Sequence, residues 1–110
     1  MEVITMCGSM KFKNDMLILA EEFAIKGYCV LTPVFEIKER SITKDQLQKM
    51  REAHFKRIEL SDSILVMNVD GYIGESIKLE IQYAKSLNKK VLYFRFLFAI
   101  CSVERSYEDE

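Results

Sequence analysis

Glu80 is the residue whose place in the sequence most directly suggests chemistry. It lies on a predicted helix whose apolar residues recur at three- and four-residue steps, at Ile77, Ile81, Ala84 and Leu87. At about 100° per residue, Glu80 falls inside the edge of that apolar stripe. A carboxylate facing a core is costly unless it is paired or used, so Glu80 is a candidate nucleophile or general base. The alternative is a boundary glutamate paired with a lysine or an arginine.

His54 poses the same question on the preceding predicted helix. It shares an apolar face with Leu47, Met50 and Ile58. A lone histidine on such a face is more often a satisfied core residue than a catalytic one. A histidine that reaches a ligand site can donate to a substrate hydroxyl or orient Glu80. Nucleophilic chemistry by Cys7 with His54 is a further alternative, although nothing in the sequence specifically brings these two residues together.

Two glycine-containing segments follow predicted strands and are candidates for holding a ligand. The first is 8–11, and the second is 70–76, which includes Gly71 and Gly74. Glycines let the backbone approach a ligand closely, and the free N–H groups of a helix that begins at 75 attract anions. The candidate ligand-binding residues are Cys7, Gly8, Ser9, Lys11, Asp70, Gly71, Gly74, Glu75 and Ser76. Alternatively, the glycines only form tight turns, since their spacing is neither a Rossmann fingerprint nor a P-loop.

Strands and helices alternate along the predicted element order. The pattern predicts strands at 3–7, 28–32, 64–69 and 91–94, helices at 14–26, 43–60 and 75–87, and a loop at 34–42. Asn14 is the predicted cap of the first helix, and Gly27 is its left-handed stop. Thr43 and Gln46 match a capping box at the start of the second helix.

This alternation predicts a single α/β domain of flavodoxin-like, Rossmann-like three-layer architecture. Right-handed crossovers between parallel strands favour the strand order 2-1-3-4, with helices on both faces of the sheet. Ligands bind such sheets beyond the carboxyl ends of the strands, where the order reverses. Here that point lies between the first and third strands, where both glycine-containing segments leave the sheet.

The composition fits one small globular domain. The chain has 110 residues, and 16 basic against 17 acidic residues give a net charge of -1, without the basic stripe that duplex nucleic acid needs. We expect no membrane-spanning segment, since the apolar runs are short, and no secretory leader. The three scattered cysteines fit a reducing compartment. We therefore expect a cytoplasmic protein. We also expect no metal or organic cofactor, and a domain at 1–95 followed by a tail at 96–110.

Several of these segments resemble blocks of the nucleoside 2-deoxyribosyltransferase superfamily, and most closely its branch of 2'-deoxynucleoside 5'-phosphate N-hydrolases. Residues 6–11 (MCGSMK) are similar to the end of the first strand in that branch. Residues 61–66 (SDSILV), 71–74 (GYIG) and 80–84 (EIQYA) resemble the second block. The resemblance spans roughly residues 3–95. The chain departs from the family pattern in four places. His54 replaces an acidic or amide residue, Gly74 an aspartate and Gln82 a glycine. Met6 and Cys7 stand at the end of the first strand, where transferases commonly have an aromatic residue.

The resemblance implies an enzyme that cleaves or transfers at the N-glycosidic bond of a nucleoside or nucleotide. Glu80 matches the catalytic glutamate of the family, which attacks the anomeric carbon of a 2'-deoxyribose, and His54 would contact the sugar or orient Glu80. Members are oligomeric, so a homodimer or higher homo-oligomer is expected, with apolar residues of 94–100 at the interface or in the core. A non-catalytic nucleotide sensor and a structural or partner-binding module are the alternatives.

Overall fold

Strands and helices alternate along the chain as far as residue 97, and two short strands are described beyond it. The computed structural model describes residues 1–36, 40–69, 71, 73–97, 102–103 and 107–108. Its strands are β1 (Val3–Cys7), β2 (Cys29–Leu31), β3 (Ser63–Val69), β4 (Lys90–Leu97), β5 (Ser102–Val103) and β6 (Tyr107–Glu108). Its helices are α1 (Lys13–Ile25), α2 (Lys44–Leu60) and α3 (Glu75–Ser86), and a 3-10 turn at Met10–Phe12 precedes α1.

The four longer strands form a parallel sheet in the order β2-β1-β3-β4, which confirms the predicted topology. Cys7, the last residue of β1, lies opposite Val66 of β3, so the carboxyl ends of these two neighbouring strands share one edge of the sheet. β5 and β6 each pair antiparallel with β4. These two pairings are what the structure describes of the predicted tail beyond β4, and residues 98–101, 104–106 and 109–110 lie outside the described part.

The two faces of the sheet bury different residues because side chains alternate along a strand. In β1, Ile4 and Met6 face α1, in a core cluster that includes Met16 and Phe23. Cys7 lies on the opposite face, in a cluster with Ile58, Ile64, Val66, Ile77, Ile81, Ala84 and Val91, which come from α2, α3 and the sheet. The result is the predicted three-layer α/β domain, with α1 on one side and α2 and α3 on the other.

The predicted helix boundaries can be compared with the capping residues that the structure shows. The capping box of α2 is confirmed: Gln46 N donates to Thr43 Oγ1 at 3.1 Å, and Thr43 N donates to Gln46 Oε1 at 3.0 Å. The prediction that Asn14 caps α1 is wrong, because the chain enters that helix through the 3-10 turn, whose cap is Ser9. Gly27, at φ +101°, provides the predicted left-handed stop.

The predicted apolar face of α2 is only half buried. His54 and Ile58 are buried, but Leu47 and Met50 are 44% and 37% exposed. Residues 44–53 are all exposed, and the buried residues of α2 begin at His54. The helix therefore packs against the core through its second half, and its first half stays in solvent. Among the described helices, none is long and apolar enough to cross a membrane.

Candidate active site

The side chains of Cys7, His54 and Glu80 meet between the sheet and the two helices α2 and α3. Cys7 Sγ lies 3.7 Å from His54 Nε2, and the same ring nitrogen lies 3.2 Å from Glu80 Oε1. The sulfur, the nitrogen and the carboxylate oxygen all lie within 4.8 Å of one another. Three residues far apart in sequence thus form one cluster, which we call the Cys-His-Glu cluster.

Each member is placed by the periodicity of its own element. Cys7 is the last residue of β1 and is fully buried on the face towards α2 and α3. His54 is buried one turn before Ile58 on α2. Glu80 lies on α3 between the buried residues Ile77 and Ala84. Because helical side chains lean towards the N-terminus, Glu80 leans towards the start of α3, the end that follows the carboxyl end of β3.

The contact between His54 and Glu80 takes place largely out of solvent. Their side chains are 10% and 15% exposed, and the 3.2 Å separation is that of an ion pair if the ring is protonated. The direction of approach is not that of a hydrogen bond, because Glu80 Oε1 is buried without a hydrogen-bond partner among the described residues. The contact between His54 and Glu80 is therefore electrostatic. A buried carboxylate oxygen that lacks a directed donor is uncommon and calls for an explanation.

Arg57 is a further member of the site, one that the sequence did not point to. Its Nη1 atom lies 3.4 Å from His54 Nδ1, the nitrogen on the far side of the ring from Glu80. A guanidinium only donates, so Nδ1 accepts, and in a neutral ring the proton then sits on Nε2, towards Cys7 and Glu80. The three-residue spacing of His54 and Arg57 on one helix is the signal that could have identified the pair.

The thiol of Cys7 is held in its protonated form. Burial, which is the largest cause, and the negative charge of Glu80 raise the pKa of Cys7 well above its usual value of 9.0. Reactive cysteines have the opposite property, a lowered pKa in an electropositive and partly exposed setting. The proximity of Cys7 to His54 therefore does not make a thiolate nucleophile, and Glu80 remains the better candidate.

Asn68 is a second residue that sequence reasoning missed. Its Oδ1 atom is buried and has no hydrogen-bond partner among the described residues. Asn68 follows Val66 by two positions in β3, so both side chains point to the same face of the sheet as Cys7. A polar residue near the end of an otherwise apolar strand was the available signal.

The residues of the first predicted ligand loop have structural roles of their own. Gly8 is buried, and a Cβ atom there would lie 2.9 Å from Met67 Cβ and 3.0 Å from Met16 Sδ. Ser9 caps the 3-10 turn by accepting from Lys11 N at 3.4 Å. Lys11 is exposed on that turn. The tight packing at Gly8 accounts for a glycine at this position without any ligand.

The second predicted ligand loop leads from β3 into α3. Gly71 is exposed at φ +82°, a conformation that favours glycine, and Gly74 is the N-cap of α3. Glu75 and Ser76 are exposed in the first turn of α3, and Glu75 forms an ion pair with Lys78 at 3.2 Å. Asp70 lies outside the described residues. The structure thus joins Cys7, His54 and Glu80 by direct contacts, while Glu75 is paired within its own helix.

The fold is similar to that of a solved structure, a 2-desoxiribosyltransferase from Leishmania mexicana. The two share a TM-score of 0.66 and 16% sequence identity, and the match covers 96% of this chain and 79% of that chain. At this identity the similarity is one of fold, and at that level it confirms the resemblance drawn from the sequence blocks. No protein-family profile and no curated protein matches the chain.

Proposed function

We propose that this protein binds a nucleoside or nucleotide and cleaves, or transfers at, its N-glycosidic bond, with Glu80 as the nucleophile. The observation that carries the proposal is the buried oxygen Oε1 of Glu80, which has no hydrogen-bond partner among the described residues and lies beside His54. The carboxylate is located where α/β sheets of this order bind ligands, near the adjacent carboxyl ends of β1 and β3. The similarity to the fold of a deoxyribosyltransferase supports the same reading.

The proposed reaction has two displacement steps. The Glu80 carboxylate attacks the anomeric carbon, a carbon–oxygen bond forms, and the base leaves with the electron pair of the carbon–nitrogen bond. Water or a second base then attacks the same carbon and releases the glutamate, as in retaining glycoside hydrolysis. An ionised carboxylate suits both steps, because it is a nucleophile and also stabilises the positive charge that develops on the sugar.

His54 is the proposed partner of Glu80 in this reaction. Its Nε2 atom lies 3.2 Å from Glu80 Oε1, close enough to hold the carboxylate in one orientation. The contact with Arg57 favours a proton on Nε2, so that the ring can also donate to a sugar hydroxyl. In this role His54 orients the nucleophile and contacts the substrate.

The rest of the ligand would lie along the two loops that leave β1 and β3. Cys7, Gly8, Ser9 and Lys11 form one proposed wall of the substrate site, and Asp70, Gly71, Gly74, Glu75 and Ser76 form the other. A 5'-phosphate would be bound by the N–H groups at the start of α3. We further propose that the protein is cytoplasmic, acts as a homodimer and needs no organic cofactor.

The test is release of free base. The chelator-treated protein is incubated with a panel of 2'-deoxynucleosides and their 5'-monophosphates, and free base is measured by chromatography. We expect release by the wild type and a loss of at least about a hundredfold in Glu80→Gln, a size typical of a removed catalytic group. Glu22→Gln is the matched control, because it removes the charge of an exposed glutamate on α1, outside the proposed site. Equal release by Glu80→Gln and wild type would overturn the role of Glu80. Thermal stabilisation by a nucleotide without release would favour the sensor instead.

A further inference from the structure

We propose that the Cys-His-Glu cluster binds one divalent transition-metal ion, with Zn²⁺ the best match. Cys7 provides a sulfur, His54 a nitrogen and Glu80 an oxygen, and all three atoms lie within 4.8 Å of one another. The sequence did not predict a metal because it contains no closely spaced metal-ligand motif such as Cys-x-x-Cys. In the folded chain each ligand comes from a different element: β1, α2 and α3.

Two of the three separations between the ligand atoms match a tetrahedral zinc ion. Zinc binds sulfur at about 2.3 Å and nitrogen or oxygen at about 2.0–2.1 Å, so tetrahedral geometry puts sulfur about 3.6 Å from nitrogen and nitrogen about 3.3 Å from oxygen. The observed distances are 3.7 Å from Cys7 Sγ to His54 Nε2 and 3.2 Å from His54 Nε2 to Glu80 Oε1. The third pair, Cys7 Sγ and the Glu80 oxygen, lies within 4.8 Å, whereas tetrahedral geometry puts sulfur about 3.6 Å from oxygen, so binding would close any difference by movement of these two side chains.

The donor set also selects the type of metal. Calcium and magnesium bind oxygen ligands, whereas a combined sulfur, nitrogen and oxygen set suits zinc and its neighbours in the first transition row. The buried oxygen Oε1 of Glu80 has no hydrogen-bond partner among the described residues, and a metal ion would provide one. Three protein ligands are the number found in catalytic zinc sites, where a further position is left for water or substrate.

Metal binding requires two changes of protonation. The Cys7 thiol gives its proton to solvent, and the His54 ring carries its proton on Nδ1 so that the lone pair of Nε2 faces the metal. In the metal-free chain Nδ1 lies 3.4 Å from the guanidinium of Arg57, which only donates and cannot accept a hydrogen bond from a protonated Nδ1. Arg57 must move aside, so it opposes the metal. In Arg57→Gln the amide oxygen can accept from Nδ1, and metal affinity should rise, since such outer partners change affinity by about 10–100-fold.

Metal binding does not depend on the proposed function, but its consequence for activity does. A metal ion on Glu80 Oε1 withdraws electron density from the carboxylate and so makes the proposed nucleophile weaker. If the proposed function holds, added Zn²⁺ inhibits base release and a chelator restores it.

The decisive experiment uses Co²⁺ as a coloured substitute for Zn²⁺. The chelator-treated full chain is titrated with Co²⁺ in a Cys29→Ser, Cys101→Ser background, so that Cys7 is the one thiol left. We expect one Co²⁺ per chain, a near-ultraviolet charge-transfer band from thiolate to cobalt, and loss of the band when Zn²⁺ is added. Glu75→Gln, from the same helix as Glu80, should leave the band unchanged.

The ligand variants decide between a site and non-specific binding. Cys7→Ser should abolish the charge-transfer band, and His54→Ala and Glu80→Gln should each weaken Co²⁺ binding at least about tenfold. Circular dichroism identifies any variant that fails to fold, and Glu80→Gln then serves as the test because it keeps the shape of the side chain. No band in the parent protein, or unchanged binding in folded Glu80→Gln, would overturn the metal site. Base release by the metal-free chain is a separate measurement, so either proposal can fail alone.

Discussion

The sulfur of Cys7 lies 3.7 Å from Nε2 of His54, although 47 residues separate the two in sequence. The contact exists because Cys7 ends β1 on the face that α2 and α3 cover, and because His54 is on the buried side of α2. Glu80 completes the cluster from α3. A thiol, an imidazole and a carboxylate therefore share one buried environment, and a change in any of them should alter the other two.

The raised pKa of Cys7 predicts that the protein loses stability in alkali. In the unfolded chain the thiol ionises near its usual pKa of 9.0, while in the folded chain it keeps its proton to a higher pH. Its contribution is fully present below about pH 9 and is lost as the pH rises towards the folded pKa, at up to about 1.4 kcal/mol per pH unit. Urea unfolding of wild type and Cys7→Ser at about pH 8 and about pH 10 measures this loss.

The loss should be smaller in Cys7→Ser, because serine does not titrate in this range. Cys29→Ser is the matched control, since it removes a thiol outside the cluster. An equal fall in the free energy of unfolding for wild type and Cys7→Ser would contradict the prediction.

Replacing His54 by alanine should impair both stability and activity. The change removes the electrostatic contact of Glu80 with the ring and leaves a cavity where a buried side chain was, and both effects lower the free energy of unfolding. Base release should fall roughly a hundredfold, which is the low end of the rate loss typical when a group that transfers a proton is removed. Thermal unfolding and the chromatographic assay measure the two effects. His54→Gln keeps a donor and should recover part of the activity, and a fully active His54→Ala would remove His54 from the mechanism.

The sequence predicted the sheet order, because the order follows from the alternation of strands and helices. It predicted the helix faces only in part, since Leu47 and Met50 of α2 and Leu87, in the predicted buried stripe of α3, are 44%, 37% and 38% exposed. The apolar run at 64–69 and the alternation of strands with helices are enough to specify parallel strands with covered faces. The wrong details come from packing between elements. Asn14 is a good capping residue, but the 3-10 turn at Met10–Phe12 brings the chain into α1 earlier, so that the cap position is Phe12, two residues before Asn14. The exposure of Met50 depends on how far α2 extends past the sheet.

The candidate site was predictable residue by residue but not as a cluster. Helical periodicity put Glu80 at the edge of a buried stripe, and the structure places it there. The contact between Cys7 and His54 needed the relative placement of β1 and α2, which no local pattern contains. Arg57 and Asn68 were missed because their significance lies in what they face, namely the far ring nitrogen of His54 and the buried face of β3.

Thr43→Ala should destabilise α2, which carries His54 and Arg57. Thr43 and Gln46 satisfy two backbone N–H groups reciprocally at the start of this helix. Loss of such a cap costs about 0.5–2 kcal/mol. Chemical unfolding measures the change, and Ser41→Ala, at an exposed position just before the helix, is the control. Equal stability of Thr43→Ala and Ser41→Ala would mean that the capping box contributes little.

Tyr83 should titrate at higher pH than a free tyrosine. Its hydroxyl donates to Glu59 Oε2 at 2.8 Å, and this hydrogen bond, then desolvation, then the charge of Glu59 raise the pKa of Tyr83 above its usual 10.0. In Glu59→Gln the charge is gone, so the pKa of Tyr83 should fall. Phenolate absorption during an alkaline titration records the shift. Glu52→Gln, on the same helix, is the control, and identical curves for Glu59→Gln and wild type would refute the assignment.

Gly8→Ala separates a packing role of this glycine from a ligand-binding one. The new Cβ would lie 2.9 Å from Met67 Cβ, an atom fixed to its strand, and 3.0 Å from the more mobile sulfur of Met16. Forcing an extra carbon into such a core costs about 1–3 kcal/mol. We expect a lower free energy of unfolding and, because Gly8 is part of the proposed wall of the substrate site, a raised KM for any substrate that releases base. Ser41→Ala, at an exposed position outside the proposed site, is the control. A wild-type KM together with lower stability would leave Gly8 a packing role alone.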